Sequence, residues 1–332
     1  MLATGRAGMY WTVLVLVAAV AVFQPPLLAR GGSGVRIVVT FQFMVGDIEN
    51  LLCPGDEVSS IVPQGVDPHE YQLTYSDLAK LAAADLIIST AHAPFEMKIR
   101  EAVASGELRA ELIEITKIPN MTFLSLPSTN AINYHGMLFH GGNYVAFINN
   151  VSNTLSRLRP ECAAWYRDRV AIAEHAIREL EGGNRPLSGL KAVVDTPTLQ
   201  YLATWLGAEV VHTLLVEHDV PPSPQDIGNA EELMKEFKGG VVAIFTEDSV
   251  ARSLLEELAS KYGARVLELP NPVTSTNSVL LYLQNATVRA QNLKPSASAG
   301  ISIEIATPYL AATVAIVAVA TALLALRRRV WR

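Results

Sequence analysis

The chain holds seven histidines. Five of them, His69, His92, His135, His140 and His218, stand in linking segments that follow runs of strand character. His175 falls inside a helical pattern and His212 inside a strand run. Carboxylates occupy the same kind of place: Asp195, Glu217, Asp219, Glu247 and Asp248. Neutral imidazole offers a lone pair and a carboxylate balances charge, so the two together are the ligand set of Zn²⁺, Mn²⁺ and similar ions. His69 lies in GVDPHEY, just before a helix start. His92 lies in TAHAPFE. His135 and His140 share NYHGMLFHGGNY, a glycine-rich loop able to wrap an ion. Asp195 serves equally well as the cap of a helix beginning near Thr196, and Glu247 can cap in the same way. A metal hydrolase would need a general base and an open coordination position. Glu70 and Glu247 are available, but there is no H-E-x-x-H and no nucleophile elbow, so an enzyme is not expected.

These residues need elements to hold them. VRIVVTF, EVSSIVP, ADLIIST and AELIEIT read as four strands, separated by helical patterns. Thr74 can cap the amide of Asp77, and Leu78, Leu81 and Ala82 then share a face. Alternation of this kind predicts a parallel sheet covered by helices. PECAAWYRDRVAIAEHAIRELE, residues 160–181, reads as one helix with proline in its first turn and GGN at its end. Its length of roughly 33 Å at 1.5 Å per residue suits a spine between two lobes. A second series follows, with strands LKAVVD, AEVVHTL, GVVAIFT and ARVLEL. In open parallel sheets ligands bind beyond the carboxyl ends of the strands, which is where the histidines gather. The expected architecture is an N-terminal lobe over residues 35–158, a spine over 159–184 and a C-terminal lobe over 185–293.

Both ends of the chain are apolar. WTVLVLVAAVAVF has roughly 13 apolar residues, too few to span a bilayer comfortably, and residues 1–34 read as a signal peptide or an N-terminal anchor. YLAATVAIVAVATALLAL, residues 309–326, carries no charge and is closed by Arg327, Arg328 and Arg329. That pattern predicts a transmembrane helix with its basic tail in the cytoplasm. Residues 294–308 form a tether, and the body lies outside the cell on a single-pass anchor. Sequons at Asn120, Asn150 and Asn285 agree with that location but add little. The two cysteines, Cys53 and Cys162, are read as buried free thiols, although an external location allows a disulfide. The net charge of −6 argues against nucleic acid as a partner.

The stretch VPQGVDPHEYQLTYSDLAKLAAADLII resembles the metal-binding solute receptors of zinc and manganese ABC transporters, the cluster A-I group. The resemblance covers roughly residues 35–293. It implies two α/β lobes joined by a rigid helix and delivery of a divalent ion to an ABC permease with its ATPase; a monomer is expected. It makes His69 the counterpart of the first metal ligand. The family's second ligand is the histidine of an N-P-H segment before a long helix, which NYH places at His135, with His140 able to share the role. The third and fourth ligand positions fall at Thr196, beside Asp195, and at Pro270 and Asn271. Neither keeps the family's residue type. Asp195 and Glu247 are therefore candidates to compensate, or the first lobe holds the ion. The departures also leave room for a receptor fold that binds another solute or acts in adhesion.

Overall fold

The computed structural model describes residues 34–66, 70–183, 185–215 and 220–293. The first half runs β1 (Arg36–Phe41), α1 (Val45–Leu51), β2 (Glu57–Val62), α2 (Tyr75–Ala83), β3 (Leu86–Ser89), α3 (Pro94–Ala104) and β4 (Glu111–Glu114). A short antiparallel pair follows, β5 (Leu124–Ser125) with β6 (Ile132–Asn133), and then α4 (Gly141–Leu158) and α5 (Ala163–Glu181). The second half runs β7 (Lys191–Val194), α6 (Thr198–Trp205), β8 (Glu209–Thr213), α7 (Pro224–Glu236), β9 (Val241–Thr246), α8 (Arg252–Tyr262), β10 (Arg265–Leu269) and α9 (Val279–Gln291).

Each half builds a four-stranded, wholly parallel sheet, in the orders β2-β1-β3-β4 and β8-β7-β9-β10. The two orders are the same: the first strand of each lobe lies between its second and third. The central strands are β-branched and apolar, and β3 (LIIS) and β9 (VVAIFT) are buried along their whole length. Burial on both faces is what a helix-covered parallel sheet demands. In each lobe the chain reverses its winding direction at the first strand, so the crevices open beyond β1 and β3 and beyond β7 and β9.

The spine is present with one refinement. Pro160–Cys162 forms a tight 3₁₀ turn, and the α-helix proper begins at Ala163 and ends at Glu181. It packs along α4, and its last residue accepts a 2.9 Å bond from Trp205 Nε1 of the second lobe. The main apolar core is continuous from β1 to α9, because α9 returns to the first lobe.

Two expectations need correction. Cys53 and Cys162 form a disulfide, not free thiols. The loop after α1 lies against the start of the spine: Trp165 Nε1 donates to Leu52 O (2.9 Å), and Asp56 accepts from Tyr166 Oη (2.6 Å) and Arg159. Nothing local in the sequence announces that meeting. In α2, Leu81 is buried but Leu78 is 49 % exposed and Ala82 also faces out. The inward partner of Leu81 is Asp77, one turn earlier. Its carboxylate accepts from Thr74 N (2.9 Å), Thr74 Oγ1 (2.6 Å) and Tyr71 Oη (2.7 Å). The capping box expected at Thr74 is present.

The apolar run 309–326, both chain termini and His69 lie outside the described residues. Among the described residues no helix is long and apolar enough to cross a membrane.

Candidate metal centre

The crevice of the first sheet is where two of the expected histidines meet. β3 ends at Ser89, and Thr90 to Ala93 form a tight loop with Ala91 at φ 59°. That loop is held by Glu96, a buried carboxylate in the first turn of α3. Glu96 accepts from Thr90 N (2.7 Å), Thr90 Oγ1 (2.6 Å), His92 N (2.8 Å), Ala93 N (2.9 Å) and Ser89 Oγ (3.0 Å). A carboxylate at a helix N-terminus suits both the dipole and the unpaired amides. The result is a rigid seat for the His92 ring.

His135 follows β6. Gly136, at φ 72°, turns the chain there, and a Cβ at this position would collide with the carbonyl of Thr198. Glycine is required by both conformation and contact. The turn brings His135 Nε2 to 2.9 Å from His92 Nε2, with the rings edge to face at 4.3 Å between centroids. The pair borders a cavity of about 80 Å³. Phe41, Phe43 and Phe139 make its walls, while Thr198 and Val273 reach it from the second lobe. The cavity is therefore interlobar and largely apolar.

The other expected ligands stand elsewhere. His140 is the N-cap residue of α4 and does not line the cavity. Its buried Nδ1 has no hydrogen-bond partner among the described residues. Burial lowers its proton affinity, Arg185 pushes the same way, and Glu181 opposes them. Asp195 is fully buried at the end of β7. Its Oδ2 accepts from Thr246 N (2.8 Å) and Thr246 Oγ1 (3.2 Å), joining the ends of β7 and β9 across the second crevice. Burial raises its carboxyl, against hydrogen bonds from Thr246, Ser249 and Thr196 that lower it. Glu247 is half exposed and pairs with Arg289 at 3.0 Å. Among the described residues no three His, Cys, Asp or Glu side chains gather to hold an ion. The His92 and His135 pair is what the structure brings together, and His69, Glu217, His218 and Asp219 lie outside those residues.

Two supporting residues escaped the sequence reading. Glu96 has a visible signal, since proline at the first helical position followed two residues later by Glu marks a capped start. Asn133 stands in the NYH segment, but its bonds to the second lobe are long-range and carry no local sign.

Residues 37–295 match the family described as zinc-uptake complex component A, periplasmic. That is well over half of the chain, and the chain belongs to this family. It is a solute-binding component and not an enzyme, in agreement with the sequence reading. A manganese-binding lipoprotein of Halalkalibacterium halodurans is 22 % identical over 263 residues, covering 76 % of this chain and 84 % of the relative. The iron-binding protein YfeA of Yersinia pestis is 23 % identical over 239 residues, covering 69 % of this chain and 75 % of the relative. The periplasmic zinc-binding protein TroA of Treponema pallidum shares the fold, with a TM-score of 0.62 at 18 % identity over 78 % of this chain and 98 % of that one. The names of these three proteins give three different metals.

Proposed function

We propose that the chain captures a divalent metal ion outside the cell and passes it to an ABC permease working with its ATPase. The observation that carries this is the meeting of His92 and His135 at the interlobe cavity, in the crevice of the first sheet. The proposed ligands are His69, His92 and His135, so the first lobe holds most of the ion. Glu247 is engaged by Arg289, and neither it nor Asp195 lines the cavity of the two histidines, which leaves them poor candidates to complete the set. Imidazole nitrogens without a carboxylate suit zinc better than manganese, which prefers oxygen donors. Zinc is therefore the proposed cargo, with manganese second.

On tetrahedral zinc, with bonds of about 2.0–2.1 Å, two ligand nitrogens lie roughly 3.3 Å apart. The observed 2.9 Å is a closed, hydrogen-bonded pair. Loading would open it by a few tenths of an ångström, a movement of loops rather than of lobes. The spine limits hinging, so release would follow from similarly small shifts. Residues 309–332 form the membrane anchor in this proposal and residues 294–308 its tether. A monomeric receptor held beside its permease gains effective concentration.

The test is calorimetric titration of the chelator-stripped, full-length chain with Zn²⁺, Mn²⁺ and Fe²⁺, alongside His69→Ala, His92→Ala and His135→Ala. One tight zinc site, weakened at least tenfold by each substitution, is expected. No binding by any ion would end the free-metal proposal. Tighter manganese binding would shift the missing ligands back to the carboxylates of the second lobe.

A further inference from the structure

We propose that Asn133 is a positioning residue: it holds His135 as the Nδ1–H tautomer, with the Nε2 lone pair turned toward His92 and the cavity, and ties that ring to the second lobe. Its part in ion capture rests on the function proposed above; the tautomer does not.

Asn133 is buried. Its Nδ2 donates to Pro197 O and to Gln200 Oε1, both at 2.8 Å. Its Oδ1 accepts from His135 N at 2.9 Å. A carbonyl only accepts and a backbone N–H only donates, so a flipped amide would lose the bonds to Pro197 O and His135 N. The orientation is fixed by chemistry. It follows that the atom facing His135 Nδ1 at 3.3 Å is an oxygen acceptor. An acceptor there favours a proton on Nδ1 and leaves the lone pair on Nε2, the arrangement an outer partner imposes on a ligating histidine. In the ion-free pair the hydrogen between the two Nε2 atoms then belongs to His92.

The same side chain is the centre of a bridge between lobes. Gln200 Nε2 donates to Ser125 O (2.7 Å), Tyr201 Oη donates to Asn133 O (2.6 Å), and Leu124 N donates to Tyr201 Oη (3.0 Å). Gln200 and Tyr201 belong to α6. The β5–β6 pair, which leads directly into His135, is thus bonded to a helix of the other lobe. A shift of α6 must be felt at the His135 ring.

The experiment uses the full-length, metal-free chain labelled with ¹⁵N-histidine at pH 8. Long-range ¹H–¹⁵N correlation spectra report the tautomer of each ring, and loss of signals in His135→Gln assigns that residue. The wild type is expected to show the Nδ1–H pattern at His135. Asn133→Leu should move His135 to the Nε2–H form or a mixture, and weaken Zn²⁺ in chelator competition by 10- to 100-fold. Asn133→Asp keeps an oxygen acceptor but loses both donors to the second lobe, so it should retain the Nδ1–H pattern. An Nε2–H pattern in the wild type overturns the proposal. So does an unchanged pattern in Asn133→Leu, even with affinity lost, because that would mark a merely structural residue. If the leucine variant does not fold, the wild-type and Asn133→Asp spectra decide. An Nδ1–H pattern that responds to Asn133 in a wild type binding no zinc supports the tautomer and defeats the capture function alone.

Discussion

Asp47 is the carboxylate that fastens the last helix to the first lobe, and replacing it should reveal what its burial costs. It lies on α1 and is only 2 % exposed. It accepts from Val279 N (2.6 Å), Leu280 N (3.2 Å) and Ser278 Oγ (2.9 Å) at the start of α9, and from Tyr144 Oη (3.1 Å) on α4. Four donors and a helix N-terminus favour the ionised form. Burial opposes them and wins, raising the carboxyl from 3.8 to about 6. The sign then follows. A carboxyl whose folded value lies above its unfolded one contributes stability that is complete below pH 3.8 and is lost as pH rises through about 6. At about 1.4 kcal/mol per pH unit the loss is of order 3 kcal/mol. Asp47→Asn does not titrate and keeps one acceptor oxygen, so it is the control. Urea melts of both full-length chains between pH 4 and 8 measure the difference. The advantage of the wild type over Asp47→Asn should shrink by roughly 2.5 kcal/mol across that range, the rest of the loss falling below pH 4. Parallel profiles would show that the four hydrogen bonds balance desolvation, and an advantage that grows with pH would show that they outweigh it; either result refutes the reasoning. Asp47→Ala, which strands two backbone amides, should cost about 3–5 kcal/mol at low pH as well.

Reducing the Cys53–Cys162 bridge opens a loop of 109 residues, and the chain-entropy relation puts the loss at about 4–5 kcal/mol; denaturant melts with and without reductant measure it. Glu96→Ala should free the loop that seats His92 and weaken zinc at least tenfold, read by chelator competition, whereas a change below twofold would mean the seat is held by packing. Glu247→Ala removes an exposed partner of Arg289; stability should move by no more than about 0.5–1 kcal/mol, and zinc affinity should not change.

The sheets were legible because their information is local. All eight parallel strands appear as short β-branched runs, and their parallel direction follows from helix-linked crossovers, whereas the strand orders come from the structure. The start of α2 was legible through Thr74, where the capping residue and its partner lie three positions apart. What the sequence hides is any contact between distant segments. Cys53 meets Cys162 only because α1 ends against the spine. Asn133 reaches Gln200 across the two lobes, and Asp47 reaches Ser278 through a helix that returns after the second lobe is complete. The inward face of α2 was misread for a related reason: hydrophobic spacing favours Leu78, whereas a fully bonded Asp77 takes the buried place. Of the proposed ligands, the type of residue was legible in the loops, but the pairing of His92 with His135 required the turn at Gly136.

Two sheets of identical strand order carry different chemistry at their crevices. In the first, the loops beyond β3 and β6 present two imidazoles, and each loop is bonded through its backbone to a buried side chain, Glu96 or Asn133. In the second, Asp195 spans the ends of β7 and β9 through Oδ2, while its buried Oδ1 has no hydrogen-bond partner among the described residues. Under the proposed function, such a division would give ion-holding to one lobe and leave the other to cover the site through Thr198 and Val273. The lobes are also fastened at α6, through Asn133 and the β5–β6 pair. Swinging the second lobe away would break at least five bonds together and expose the apolar walls around Phe41 and Phe139. At about 1 kcal/mol net for each hydrogen bond, lobe opening would cost about 5 kcal/mol before the exposed apolar area is added. Under the proposed function, opening of the His92 and His135 pair by loop movement would break a single bond and is the cheaper route for an ion.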